Sequence, residues 1–268
     1  MCCNAFDRIM KINKLYWHYQ HFRLDRYLAP IDPAAAILWA LRNDNWRRAL
    51  LLPAILYGLL NCGELVNKFF FNVNPLLHGI LEIFQWTAVA LTSGYYWHMI
   101  DVWLAGGMEA EAIPWRWRQP QSLMRFFVAG LKIVLFSAMF LLPLQLWQWL
   151  VGHLPLAWLS DALVRLGYFG YLFLAPYALT AIITSARTQR LSDLFDSTRV
   201  IPLCRQHYKP CLKAVLIGGA LMSASLPVFL LCACCGPLLG LLPACWMAFS
   251  YHLAAQAFVP ARVSDAQE

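Results

Sequence analysis

Long apolar runs, separated by short polar and basic segments, dominate the pattern of this 268-residue chain. Several of these runs exceed the ~20 residues that an α-helix needs to cross the hydrocarbon core of a bilayer. The runs are continuous and lack the alternation that strands of a membrane β-barrel show. The pattern therefore predicts an all-α integral membrane bundle of about six transmembrane helices. The predicted spans cover residues 49–69, 76–105, 124–150, 163–185, 212–231 and 235–258.

Composition favours a membrane protein over a soluble domain. Hydrophobic residues make up 60% of the chain and charged residues 13%, about half of the ~25% that is usual in soluble domains. So little polar surface would leave the core of a soluble protein of this size uncovered. We expect three parts: a basic and aromatic cytoplasmic interfacial segment at residues 1–48, the six-helix domain at 49–258, and a short cytoplasmic tail at 259–268.

The distribution of basic residues orients the predicted spans. With six spans, the N-terminal segment, the links after the second and fourth spans, and the C-terminus share one side of the membrane. That side carries 18 of the 21 Lys and Arg residues: eight before Ala49, six in 187–213, and Arg116, Arg118, Arg125 and Arg262. Because links rich in Lys and Arg remain in the cytoplasm, both termini are predicted to be cytoplasmic.

A weak internal repeat groups the spans into three hairpins. Each odd-numbered span follows a segment in which an acidic residue, apolar and aromatic residues, and then basic residues occur in that order. Such segments predict amphipathic stretches that lie at the cytoplasmic interface before each hairpin enters the membrane. Residues 31–41 and 192–200 are the clearest candidates.

Short motifs recur in a recognisable order along most of the chain. The first group is Gly94-Tyr95, Gly106-Gly107, Pro114-Trp115, and Gly130-Leu131-Lys132 followed by Pro143. The later group is Leu191, Phe195, Arg199 and Tyr208, leading into Lys213. Over about residues 32–258, these motifs resemble the uncharacterised prokaryotic membrane proteins grouped as domain of unknown function 4013. The resemblance implies a polytopic fold and a bacterial or archaeal setting, so we expect the inner (plasma) membrane. It implies no activity and no catalytic residues.

Polar residues inside the predicted spans are the candidates for intramembrane chemistry. In the second span, Glu82 shares a helix face with His78, whereas His98 and Asp101 lie on nearly the opposite face. A span with polar groups on both faces is expected to occupy the centre of a bundle. Lys132 of the third span is expected to reach Asp101 more readily than Glu82, because a lysine stem extends several Å. Two interpretations follow: an ion or proton relay through these residues, or an ion pair that serves packing beside a hydrated Glu82.

The basic residues are interleaved with aromatic ones. The net charge of +7 would suggest nucleic-acid binding in a soluble protein. Beside membrane spans, Trp, Tyr, Lys and Arg instead indicate an interfacial belt and attraction to anionic lipids at the cytoplasmic face. We therefore expect lipid partners and no nucleic acid. The expected interfacial anchors are Trp115, Arg116, Trp117 and Arg118.

A metal or cofactor site has little support in the sequence. Cys204, His207 and Cys211 offer thiolate and imidazole groups of the kind that bind zinc. Their spacing is not that of a zinc-finger pair, and Pro210 is expected to disturb a helix there. These three residues are therefore only weak metal candidates, and no cofactor is expected.

Enzyme motifs are absent as well. The chain has no GxSxG elbow, HExxH helix, P-loop or dinucleotide fingerprint. The acidic pairs Glu109/Glu111 and Asp193/Asp196 would bind a divalent ion or, more simply, keep their links solvated. The sequence favours a non-enzymatic scaffold, assembly or regulatory component with a membrane-protein partner or a second copy. The alternative is a small-molecule or ion transporter or channel that uses polar residues of the second and third helices.

Overall fold

The computed structural model of the chain describes residues 31–42, 44–70, 74–115, 119–153, 157–231 and 236–258. Within these ranges the chain forms seven α-helices and no strand, which confirms the predicted all-α class. A π-helical turn, Trp46–Leu50, leads into α2, and a 3-10 turn, Leu191–Phe195, separates α5 from α6. The helices are α1 (Pro33–Leu41), α2 (Leu51–Phe70), α3 (Pro75–Gly106), α4 (Pro120–Gly152), α5 (Ala157–Thr188), α6 (Ser197–Leu231) and α7 (Gly236–Gln256).

Three of the helices in the described ranges are long and apolar enough to cross a membrane: Trp46–Phe70, Pro120–Gly152 and Trp158–Thr188. Helix α3 is also long, with 32 residues, and it contacts α2, α4, α5 and α7. The second half of α3 is therefore central, as predicted, whereas residues 82–87 in its first half are exposed. Because protein surrounds the second half of α3, that half can contain hydroxyl and indole groups as well as aliphatic ones. Its buried polar and aromatic side chains include Thr92, Ser93, Tyr95, Tyr96 and Trp97.

Helix α1 lies within the predicted segment 31–41, but it is not amphipathic, because its sequence PAAAILWAL contains no polar side chain. Asp32 precedes it, and its carboxylate accepts hydrogen bonds from the backbone N–H groups of Ala34 and Ala35, which is a favourable N-cap. Trp39 is buried on one face, whereas Leu38 is exposed on the other. The second candidate segment, 192–200, is not one helix, because the 3-10 turn ends at Phe195 and α6 begins two residues later.

Helix α6 begins earlier than the sequence predicts. The fifth span was expected to start at residue 212, after a cytoplasmic link, but the helix already starts at Ser197 and includes Pro202 and Pro210. A proline inside a helix removes one backbone donor, but the helix continues where neighbouring elements bury the same segment. Cys204 and Cys211 are buried on this part of α6.

Helices α3 and α4 are in backbone contact where they cross. A Cβ atom added to Gly94 would fall on the carbonyl oxygen of Phe126, and one added to Gly130 would fall on the carbonyl oxygen of Ala90. Only glycine permits so close an approach, and small residues serve the same purpose at helix crossings in membranes. This contact fixes the register of α3 against α4.

Packing differs between the two ends of the bundle. We call the end that carries the C-terminus of α3 the packed end, because Tyr95, Met99 and Trp103 are fully buried there. We call the other end the open end. There residues 82–87 of α3 are exposed in an unbroken run, and Leu142 and Trp149 of α4 are exposed as well. The helices therefore meet at one end of the bundle and separate toward the other.

Candidate functional site

A buried polar network fastens the link after α3 to the packed end. His252 of α7 lies 3.1 Å from the carbonyl oxygen of Met108 through Nε2 and 3.2 Å from Nε2 of Gln256 through Nδ1. A carbonyl can only accept, so His252 Nε2 carries the proton and Nδ1 accepts from the amide. Gln256 also exchanges two hydrogen bonds with the backbone of Asp32. The network thus joins α7 to the link and to the start of α1.

Asn45 holds the same link from the other side. Its side chain is 2% exposed and donates to the carbonyl of Trp39 at 3.0 Å. Its carbonyl oxygen accepts from the backbone N–H of Ala112 at 2.9 Å. The indole of Trp39 donates to the carbonyl of Ala110 at 2.8 Å. One buried carboxamide therefore connects α1 to residues 107–115, which we call the α3–α4 link.

Trp115 corrects one expectation from the sequence. It was predicted to anchor the protein at the membrane interface, but it is buried and stacks on Tyr95 with ring centroids 4.3 Å apart. Phe126 packs edge-on against the same indole. The reason is that the α3–α4 link folds back over the bundle and carries Trp115 into the core. The other expected anchors, Arg116, Trp117 and Arg118, lie outside the described residues.

The acidic pairs of the links form ion pairs with arginines. Glu109 pairs with Arg42 at 2.9 Å and Glu111 pairs with Arg48 at 2.7 Å, all with exposed or partly exposed side chains. Exposed pairs of this kind stabilise a fold by about 0–1 kcal/mol. Their main consequence is geometric, because they join the residues before α2 to the α3–α4 link.

The second acidic pair serves the start of α6. Asp196 accepts hydrogen bonds from the hydroxyl and the backbone N–H of Thr198, while Arg199 pairs with both Asp193 and Asp196. The hydrogen bond from Thr198, together with Arg199, lowers the pKa of Asp196 below its usual range. This is the arrangement expected of an acidic side chain at a helix N-terminus.

The structure does not bring Asp101 and Lys132 together. Gly94 lies against the turn from Phe126 to Gly130, so Asp101 is level with the first turn of α4. Lys132 lies on the other side of the crossing and is exposed. At 1.5 Å per residue, about eleven residues separate the two levels, or roughly 16 Å. No ion pair among the described residues joins them.

Glu82 lies at the open end in a different polar cluster. His78 Nδ1 is 3.1 Å from a carboxylate oxygen of Glu64, and His78 Nε2 is 3.7 Å from one of Glu82. Sequence reasoning missed Glu64, although an acidic residue inside an apolar run was the signal. Among the four candidate intramembrane residues, only His98 and Asp101 are neighbours, one turn apart on α3. Glu82 and Lys132 lie elsewhere along the bundle, so the four do not form one continuous path.

The weak metal candidates lie on one face of α6, because positions three and four apart are neighbours on a helix. Their neighbours differ, because the two thiols face Thr180 and the imidazole faces α7 and the residues after it. His207 Nδ1 lies 3.1 Å from the carbonyl oxygen of Ala257, and Cys211 lies 3.8 Å from the hydroxyl of Thr180. Within the described ranges, no group of three or more His, Cys, Asp or Glu side chains is arranged to hold a metal ion.

A cavity of about 540 Å³ opens at the packed end between α3, α4 and the end of α5. We call it the His98 cavity, after the one residue of the predicted set that lines it. Its polar lining consists of His98, Gln121, Arg125 and Gln189. Its apolar lining consists of Trp97, Met124, Val128, Ala129 and Leu191.

The helices and their packing define an all-helical chain of the kind found in membranes, since three of the described helices are long and apolar enough to cross one. No family model, no curated protein and no solved structure matches the chain. The resemblance to domain of unknown function 4013 therefore stays a prediction.

Proposed function

We propose that the chain is a six-span protein of the bacterial inner membrane that acts as a non-enzymatic assembly component by associating with a second copy of itself. The observation that carries this proposal is the exposed run 82–87 at the open end. Glu82 and Gln85, one turn apart, share one side of the helix in this run, and we call that side the open face of α3; Phe84 and Trp86 flank it.

The six-span arrangement has support beyond the three helices that are long and apolar enough to cross a membrane. Each of the six long helices α2–α7 overlaps one predicted span. Every consecutive pair among the helices α2–α7 is in contact, as in a bundle whose neighbouring spans follow each other along the chain. The ion pairs of Arg42 and Arg48 with the α3–α4 link group these segments at the packed end. The excess of Lys and Arg in such segments favours a cytoplasmic packed end.

Lipid alone is a poor environment for the open face of α3. Phe84 and Trp86 are each 60% exposed, and the Glu82 side chain is 57% exposed. Gln85 lies one turn after Glu82 and is exposed as well. Gln85 is about ten residues from the start of α3, which corresponds to a depth of roughly 15 Å in the membrane. At that depth a carboxamide that faces hydrocarbon would lack hydrogen-bond partners.

A second copy fits this face better than lipid does. A two-fold axis along the membrane normal places identical residues at the same depth and opposite each other. Gln85 both donates and accepts hydrogen bonds, so its side chain can pair with itself across such an axis. His78 Nε2 lies 3.7 Å from the Glu82 carboxylate on the same side of the helix. The open face is thus self-complementary through the carboxamide of Gln85.

Transport receives less support from the same geometry. A relay through the second and third helices requires a continuous path, whereas Glu82 lies at the open end and Asp101 at the packed end. Between them, Gly94 and Gly130 hold the two helices in backbone contact. This part of the bundle leaves no space between α3 and α4 for a moving ion.

Replacing Gln85 by leucine tests the proposed association. Wild-type protein in mild detergent is expected to give a dimer in native mass spectrometry, and Gln85→Leu should raise the dimer dissociation constant about 3- to 30-fold, as loss of an interhelical hydrogen bond does. Gln145→Leu removes a similarly exposed carboxamide from α4 and should leave the dimer intact. A monomeric wild type, or equal losses in both variants, would refute the proposal.

A further inference from the structure

We propose that the His98 cavity binds an anionic headgroup that is joined to an apolar chain, such as a phospholipid phosphate or a fatty-acid carboxylate. The inference rests on the membrane placement proposed above and is independent of dimer formation, because the cavity lies at the packed end, away from the open face of α3. It assigns a binding role to His98 and Arg125.

The polar lining of the cavity favours an anion. Arg125 of α4 and His98 of α3 approach it from different helices, and the carboxamides of Gln121 and Gln189 complete the polar wall. None of the described lining residues is acidic, and no ion pair among the described residues involves Arg125. An uncompensated guanidinium beside hydrogen-bond donors is suited to phosphate or carboxylate oxygens.

The rest of the lining favours an attached apolar chain. Trp97 is buried in the wall, whereas Met124 and Val128 are exposed at the mouth on the outer side of α4. His98 lies eight residues before the end of α3 and Arg125 five residues after the start of α4, or roughly 8–12 Å from the helix ends. That depth corresponds to the boundary between headgroups and acyl chains, where basic pockets between spans bind anionic lipids.

Gln189 gives a second, independent indication. It ends α5 with a φ of 54°, in the left-handed region. Its N–H bonds to the carbonyl of Ala186, and the N–H of Arg190 bonds to the carbonyl of Ser185, which is the Schellman pattern in which glycine is preferred at this position. The chain instead has a residue whose side chain donates to the carbonyl of Ala186 at 2.7 Å and also lines the cavity beside His98. Unfavourable backbone conformations are found where the side chain serves a site.

Lipid titration of the full-length protein in detergent tests the site. Native mass spectrometry would count bound phosphatidylglycerol, oleate and inorganic phosphate on the wild type and on Arg125→Gln. We expect Arg125→Gln to weaken binding of the anionic amphiphile at least tenfold, as loss of a charged hydrogen-bond donor does. Lys132→Gln makes the same charge change two turns further along the same face of α4 and should alter binding less than twofold.

Gln189→Gly separates binding from folding. Glycine relieves the left-handed cap, so the melting temperature without lipid should stay equal or rise, while lipid binding should weaken severalfold. Preference for phosphatidylglycerol would identify a phospholipid site, and preference for oleate a carboxylate site; both support the proposal. The proposal would be overturned if inorganic phosphate bound as tightly as the two amphiphiles, or if Arg125→Gln did not weaken their binding. Gln85→Leu should bind lipid like the wild type. A failure of the dimer proposal can therefore be told apart from a failure of the lipid-site proposal.

Discussion

Gly94→Ala is expected to lower the free energy of unfolding by about 3 kcal/mol, although it adds only one methyl group. The new Cβ would overlap the carbonyl oxygen of Phe126, and a backbone carbonyl inside a helix cannot rotate away as a side chain can. The helices would have to separate along the buried cluster that contains Tyr95 and Phe136. Denaturation of the purified protein by SDS, followed by circular dichroism, would measure the loss.

Gly79→Ala is the matched control, because it lies on the same helix and its added Cβ would meet no atom within 4 Å. It should be neutral or stabilising by up to about 1 kcal/mol, since alanine restricts the unfolded chain more than glycine does. Gly130→Ala should resemble Gly94→Ala, and the double variant should lose less than the sum, because both methyl groups disrupt one contact. Equal stabilities for Gly94→Ala and Gly79→Ala would contradict the close crossing.

Asn45→Ala is expected to destabilise the protein by about 3 kcal/mol. It leaves two backbone groups buried without their partner, the carbonyl of Trp39 and the N–H of Ala112, and each unsatisfied group costs about 1–3 kcal/mol. Asn45→Asp should be at least as damaging. One oxygen of the new carboxylate still accepts from the N–H of Ala112. The other oxygen replaces the donating NH₂ group and faces the carbonyl oxygen of Trp39, which also only accepts.

The control for Asn45 is the neighbouring exposed ion pair. Arg48→Gln removes the 2.7 Å contact with Glu111 and should cost less than about 1 kcal/mol. The same SDS titration measures all three variants. If Arg48→Gln proved as damaging as Asn45→Ala, the α3–α4 link would depend on surface charge rather than on the buried carboxamide.

Helix positions were the part of the fold that the sequence could predict. Apolar length locates α2, α3, α4 and α7 to within about four residues, because crossing a bilayer demands a minimum run. Polar groups on both faces of α3 predicted a central helix, but only the second half is surrounded by protein, since residues 82–87 are exposed. Helix α6 was predicted too short, since Pro202 and Pro210 look like helix breaks when the tertiary packing that supports them is unknown.

The candidate site could be predicted only in part. The predicted contact between Lys132 and Asp101 rests on the reach of a lysine side chain, but the distance between the two residues depends on where Gly94 meets Gly130, which one sequence does not reveal. The aromatic and basic residues that flank Trp115 in the sequence occur both around interfacial anchors and in links that fold into a core, so they do not distinguish the two positions. Gln189 gave no signal, because its role depends on a left-handed conformation that one sequence does not reveal.

The proposals for the open face of α3 and for the His98 cavity both depend on the six long helices crossing the membrane as three hairpins. The most direct measurement places a protease recognition sequence either after His153, an exposed residue at the open end of α4, or after Glu268 in the full-length chain. Protease added to intact spheroplasts should cleave at the His153 site and should leave the C-terminal site uncut until the membrane is lysed. Protection at His153, or cleavage at the C-terminus of intact spheroplasts, would contradict the six-span arrangement.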